Sequence, residues 1–412
     1  MTKALRVLDG RTFLSLRRHR NYRLFFFGQI VSLSGSWMQS IALAWLVIEL
    51  SHSPVAIGAL AFCRFVPFTI LGLFAGVVVD RLDNRRLVIV TQSAAMLLSA
   101  LLAALALTGA ASLPLVYTLA VLLGIAQVFD GPGRQALTYQ MVGSDELPNA
   151  IALNSSLFNM SRVVGPALAG VMIAAVGAGA CFALNALSFL AVLAGLLAMR
   201  AEELYPVERP ELPSVLRGTR EGLAYVLRSQ DVSLVLLIVT AMSVVGFNFN
   251  VILPLLASNT LHAGPREFGV LSACFGAGAL AGALAAATTG RASWRALLTG
   301  LCGFSLAMLA LAPLHTVWAC ALLLFVLGGS FTLLTANANA LVQVEAPGHL
   351  RGRVVSLYLF AFLGLAPVGG LVAGWLVALG GTMLAFAVAG LTGAAIAAYA
   401  VARRERLRSA LA

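Results

Sequence analysis

Charge is what this sequence has least of. Asp, Glu, Lys and Arg together make up 10% of its 412 residues, where a soluble domain carries about 25%. So few charges cannot cover a water-facing surface. With 60% hydrophobic residues and a mean hydropathy of +0.94, the solvent is mostly lipid. Acidic residues are scarcer than basic ones, 16 against 27, for a net charge of +11. That excess is not a nucleic-acid footprint, because the arginines sit in short segments between apolar runs and form no basic domain. The five cysteines, Cys63, Cys181, Cys274, Cys302 and Cys320, all lie inside apolar runs without a CxxC pair. Neither a disulfide framework nor a metal site is indicated. The histidines fall in loops or termini without metal-ligand spacing. No phosphate-binding P-loop is present, which excludes ATP as an energy source. No soluble catalytic motif appears, so the chain does not read as an enzyme. The N-terminus is too charged, and too long before its first apolar run, to be a cleaved signal peptide.

What the chain has is apolar runs. A hydrocarbon core about 30 Å thick takes about 20 apolar residues per helix. On that measure the sequence divides into twelve spans: Tyr22–Leu50, Pro54–Val79, Leu87–Thr108, Leu115–Leu137, Ala150–Val176, Ala180–Met199, Ser233–Ala257, Phe268–Thr289, Ala296–Ala312, Val317–Val342, Val354–Leu379 and Met383–Ala402. The fold class is therefore an all-α membrane protein with two six-helix bundles, 1–199 and 232–412. Their linker, 200–231, carries both signs of charge and Pro206, Pro210 and Pro213. Within it, Ser214–Arg228 has apolar residues at helical spacing and reads as an interfacial amphipathic helix. If the N-terminus is cytoplasmic, nearly all loop arginines fall inside and only Arg266 falls outside. Both termini are then cytoplasmic.

The densest charge cluster joins the second and third spans: Gly76, Asp80, Arg81, Asp83, Arg85 and Arg86. Asp80 closes one helix, where an anion is disfavoured, and Arg85 and Arg86 open the next, where cations are disfavoured. Such placement suits partners on other elements; plain topological anchoring is the alternative. The halves also echo each other. Gly72-Leu-Phe-Ala-Gly76 matches Gly278-Ala-Leu-Ala-Gly282, and Gly165, Ala169 and Gly170 match Gly369, Ala373 and Gly374. Repeated bundles around a midplane cavity are a common design among secondary transporters.

Gly76-x-x-x-Asp80-Arg81-x-Asp83-x-Arg85-Arg86 resembles the loop motif of the major facilitator superfamily, with Asp83 where that motif has glycine. The resemblance is closer still to bacterial exporters of drugs and siderophores. It runs through Asn21-Tyr22-Arg23, Phe129-Asp130-Gly131-Pro132-Gly133-Arg134-Gln135 and Leu147-Pro148-Asn149-Ala150. Gly165-Pro166-x-x-Ala169-Gly170 is similar to the superfamily's antiporter motif, with Arg162 one turn before it. The resemblance implies export of a small amphiphile from a bacterial inner membrane, by proton antiport and alternating access, with the proton gradient in place of any cofactor. It also implies a monomer in contact with membrane lipid. By the same resemblance Asp130 pairs with Arg85 or Arg81, and Asp80 caps the helix that starts near Val354–Ser356. Together with Arg134 these residues would lock the inner face; a static ion-pair network is the alternative.

Ionisable groups inside a bilayer are costly and so are candidates for function. Asp130 and Arg134 are four apart and share a helix face. Arg64 and Arg162 lie deep in apolar runs. Either would bind an anionic substrate or respond to a proton, and Arg64 alternatively snorkels to the surface. Neutral candidates for the cavity wall are Gln29, Ser36, Gln39, Asn159, Asn248 and Asn337; hydrogen-bonded glue between helices is the other reading. No carboxylate is placed at the midplane, so proton coupling rests on the resemblance. A lipid or lysophospholipid flippase on the same fold, and a non-transporting membrane sensor or scaffold, remain open.

Overall fold

The computed structural model describes residues 12–206, 215–289, 292–348 and 350–411; the side chains at 73, 77, 80, 215–218, 289 and 405–411 also lie outside the described residues. Every described element is a helix. A short α1 (Leu14–Arg18) leads into α2 (Arg20–Ser51), α3 (Pro54–Arg81), α4 (Asn84–Leu107), α5 (Leu113–Val176) and α6 (Ala178–Leu197). The linker helix α7 (Val215–Arg228) follows. Then come α8 (Gln230–Val245), α9 (Phe249–Leu255), α10 (Pro265–Thr289), α11 (Trp294–Leu311), α12 (Val317–Glu345), α13 (Arg351–Leu359) and α14 (Ala366–Leu411). Among the described residues ten stretches are long and apolar enough to cross a membrane.

Two of the ten, Leu113–Val176 and Arg351–Arg404, are too long for a single crossing. At 1.5 Å per residue the α5 element would reach about 96 Å, far beyond a bilayer. It turns at Gly143, whose φ of 70° and ψ of −177° only glycine adopts without strain. Likewise α14 turns at Gly380 and Gly381. Helix starts are set locally. Asp83 caps α4 by accepting the Arg86 backbone N–H at 2.9 Å, which answers the charge conflict that the loop motif poses. Pro54 opens α3 at its first turn, where a missing N–H costs nothing.

Helices of the N-terminal half pack mainly on one another, α2 with α6, α4 with α6 and α3 with α5. Those of the C-terminal half do the same, α10 with α12 and α11 with α12. Two crossings carry most of the contact between the halves, α5 with α10 and α3 with α14, and α9 adds smaller contacts with α2 and α3. Both main crossings are close at the end away from the termini. A Cβ on Gly58 would stand 2.7 Å from the Gly370 carbonyl oxygen, and one on Gly269 would stand 2.7 Å from the Gly170 Cα. Trp45 stacks on Phe268 at 6.0 Å between ring centroids. One hydrophobic cluster runs through this far end of both halves, while a second, around Tyr22, Phe25, Leu137 and Phe189, belongs to the N-terminal half alone.

Contact along α3 ends midway. Thr69 donates 2.7 Å to the Gly364 carbonyl, which the π-turn Phe360–Gly364 frees from its helix ladder. Ser243 donates to the Phe362 carbonyl of the same turn at 2.9 Å. Beyond Thr69, a methyl on Gly72 or Gly76 would meet no described atom within 4 Å. The halves thus meet at the far face and part at the face that carries the termini.

The linker helix docks on the C-terminal half. Glu221 pairs with Arg353, and Tyr225 donates to the Glu345 carbonyl at 2.8 Å. Residues 207–214, with Pro210 and Pro213, lie outside the described residues.

Glycine at crowded and open positions makes opposite predictions. A Cβ on Gly300 would stand 2.6 Å from the Leu334 nitrogen, and one on Gly28 2.7 Å from the Val192 Cα. Gly300→Ala and Gly28→Ala should each cost about 1–3 kcal/mol by overpacking and lower the thermal unfolding midpoint of the detergent-solubilised protein. Gly76→Ala should leave that midpoint unchanged or slightly higher.

Candidate functional site

Of the two buried acids described in the N-terminal half, Glu146 and Asp130, the latter lies deeper in an apolar run. Its Oδ2 lies 2.8 Å from Arg134 Nε, and its Oδ1 accepts from Thr91 Oγ1 and Gln92 Nε2, both at 2.8 Å. Helix α5 runs unbroken through Gly131-Pro132-Gly133, so residues 130 and 134 do share a face. Arg134 then donates to Gln29 Oε1 at 2.8 Å. The expected pairing of Asp130 with Arg85 or Arg81 does not form. Arg85 instead donates 2.9 and 3.1 Å to the carbonyls of Leu196 and Leu197. Those are orphan carbonyls at the C-terminus of α6, where a cation is favoured. Arg81 and Arg86 are exposed. The side chain of Asp80 lies outside the described residues, so its expected cap on the helix at Arg351 has no counterpart in them.

Next to Asp130 a recess of about 280 Å³ opens, lined by Phe25, Gln29, Leu33, Arg134, Gln135, Thr138, Asn154, Leu157 and Phe158. Among the described residues Gln29 Nε2 has no hydrogen-bond partner. The recess thus offers one cation, three amides and a hydroxyl among apolar side chains, a mix that suits an amphiphile.

Deeper in the N-terminal half lies a smaller cavity of about 30 Å³, lined by Ser36, Gln39, Ser40, Arg64, Gln127 and Asn185 among others. It has room for about one water. Arg64 donates to Ser40 Oγ at 2.9 Å rather than snorkelling outward, and Gln39 accepts from Asn185 at 2.6 Å.

Arg162 sits at the meeting of the halves. Its guanidinium carbon lies 4.8 Å from the Phe275 ring centroid, 5.4 Å from Phe331 and 5.7 Å from Trp37. Two helices of the C-terminal half and one of the N-terminal half supply these rings. The motif after Arg162 packs in two directions. A Cβ on Gly165 would stand 2.8 Å from the Ser34 carbonyl oxygen of α2, and one on Gly170 2.9 Å from the Gly269 Cα of α10. Pro166, between them, is buried inside α5. Ser161, a stand-in for glycine, accepts from Ser34 at 3.2 Å.

The remaining amides have backbone partners. Asn248 donates to the Val244 carbonyl at 2.9 Å at the break between α8 and α9. Asn337 donates to Leu333 at 2.9 Å and accepts the Ser293 N–H at 3.2 Å before α11. Asn159 donates to its own helix at 2.8 Å. Their bonds make Asn248 and Asn337 braces rather than cavity wall. The sequence reading missed Thr91, Gln92, Gln135, Thr138, Asn154 and the rings around Arg162. An aromatic residue in an apolar run carries no mark of which helix it will face.

Residues 12–411 match the model of a family described as transmembrane secretion effector. The chain is similar to the Staphyloferrin A transporter of Staphylococcus aureus, 32% identical over 173 residues, 42% of this chain and 44% of that protein. It is 27% identical to the multidrug efflux pump Tap of Mycolicibacterium fortuitum over 362 residues, 85% and 88% of the two chains. The fold is that of a solved peptide transporter, POT, with a TM-score of 0.77 at 12% identity over 94% of this chain and 95% of that one.

Removing an acid from a buried pair strands its partner. Asp130→Ala should therefore lower stability by about 3 kcal/mol, whereas Arg85→Gln, which only uncaps a helix end, should cost about 1 kcal/mol or less. Thermal unfolding of the two purified variants checks the order.

Proposed function

The chain belongs to the transmembrane secretion effector family of major facilitator exporters, and on that premise we propose that it is a secondary active efflux transporter working by alternating access. Two six-helix bundles, 1–199 and 232–412, rock about the contacts of α3 with α14 and α5 with α10. The two elements too long for a single crossing then count as two spans each, and the ten long stretches become twelve. The observation that carries this reading is the asymmetry of the interface: glycine contacts at one face, and open flanks at Gly72 and Gly76 at the other. A single static bundle has no need of a glycine stripe that meets nothing.

In this reading the face with the termini is cytoplasmic, and the structure is the state that loads cargo from inside. The outward-open state would bring Gly72 and Gly76 against α13, with Asp80 at its N-terminal turn, where the helix dipole favours an anion. The cargo would be a drug-like or siderophore-like amphiphile; the relatives, a multidrug pump and a siderophore transporter, support that class. Proton antiport would drive it. The protein would act as a monomer in the bacterial inner membrane, among lipid, without a cofactor.

Stapling the closed face tests this. The Ala61 Cβ lies 2.7 Å from the place of a Cβ on Gly370, within a small shift of the roughly 3.8 Å that a disulfide spans. With the five native cysteines replaced, an Ala61→Cys/Gly370→Cys pair should export at background level when oxidised and recover on reduction. The readout is efflux from cells against a panel of amphiphilic antibiotics and siderophores. Full export with the cross-link formed would overturn the reading.

A further inference from the structure

Resting on the export reading, we infer that Arg162 and its aromatic surround form the binding site for an acid group, so that the cargo is an anionic amphiphile with an aromatic or apolar body. Of the 16 acidic residues, the described ones near the spans of the N-terminal half are all committed. Asp130 is held by Arg134, Thr91 and Gln92. Glu49 accepts from Trp45 at 2.7 Å, Asp83 caps α4, and Glu146 pairs with Arg18 at 2.9 Å. Arg64 has a hydroxyl as its partner. Among the described residues, Arg162 has neither an ion pair nor a side-chain hydrogen bond; what surrounds it is three ring faces.

Ring faces attract a cation but accept none of the guanidinium's five N–H groups in its own plane. A planar carboxylate does, through two parallel bonds, and does so best where water is excluded. Two uncompensated arginines in one membrane domain also favour an incoming anion over a neutral or cationic molecule. The surroundings specify the rest of the ligand. Phe275 and Phe331 belong to an aromatic wall that continues through Phe249 at 4.2 and 5.4 Å. On the other side Trp37 packs edge-on against Phe158 at 5.6 Å, and Phe158 lines the open recess. A flat acid anchored at Arg162 therefore has aromatic faces along its path from the recess.

Equilibrium dialysis of the full-length protein in nanodiscs, with 1-naphthoate and its neutral isostere 1-naphthamide, tests the assignment without requiring transport. Wild type should bind the acid at least about tenfold more tightly than the amide, a difference of about 1.4 kcal/mol. Arg162→Gln should erase that preference, Arg162→Lys should retain part of it, and Arg64→Gln should keep most of it. Equal affinity for acid and amide in wild type, no binding of either, or a preference that survives Arg162→Gln would overturn the anion site. Export with no charge preference would sink the site alone; charge-selective binding without any export would sink the transporter reading alone.

Discussion

An ion inside a bilayer must be answered where it stands, because the solvent cannot do it. Most of the interior of this protein can be understood from that constraint. Asp130 is answered three times over, by a guanidinium, a hydroxyl and an amide. Arg134 is shared between that acid and Gln29. Arg85 is answered by the spent end of a helix rather than by an acid, which explains why a basic residue stands where the opening dipole of α4 would repel it. Arg64 and Arg162 stand apart: one has a hydroxyl and the other has rings. Among the described residues Gln29 Nε2 is left unpartnered beside the recess, where a transported molecule would supply an acceptor.

The second constraint is close approach. Helices in lipid gain nothing from hiding apolar surface from each other, so they adhere through packing, and packing is best where side chains are smallest. The glycines of this chain divide by that criterion. Gly58, Gly124, Gly278 and Gly282 lie against backbone of a neighbouring helix; Gly72 and Gly76 do not. The bent elements serve the same interface. The π-turn Phe360–Gly364 releases carbonyls that Thr69 and Ser243 take up, so the bend is bonded from both halves at once. A bend held this way has a defined position.

Much of this was legible in the sequence. Hydropathy separated the apolar runs, and the gaps it left at 138–149 and 380–382 hold the turns at Gly143 and Gly380-Gly381. The helical spacing in Ser214–Arg228 marked a helix that forms at Val215–Arg228. The i, i+4 spacing of Asp130 and Arg134 put them on one face, because that relation is local. Partners across helices were less legible. Arg85 looked like a partner for Asp130, yet a run of carbonyls leaves no trace in residue identity. Asn248 and Asn337 looked like cavity lining, yet each serves a backbone break beside it. The rings around Arg162 come from three helices far apart in sequence, and no spacing rule connects them.

The central claim is that the face at Gly72 and Gly76 opens and closes against α13. Leu82 and Arg351 are both exposed at that face and accept spin labels without disturbing packing. Pulsed electron–electron resonance between them, in nanodiscs at high and low pH with and without cargo, measures the claim directly. The account predicts two distance populations, a long one matching this structure and a shorter one, whose ratio shifts with pH and cargo. A single distance, the same under every condition, would contradict it.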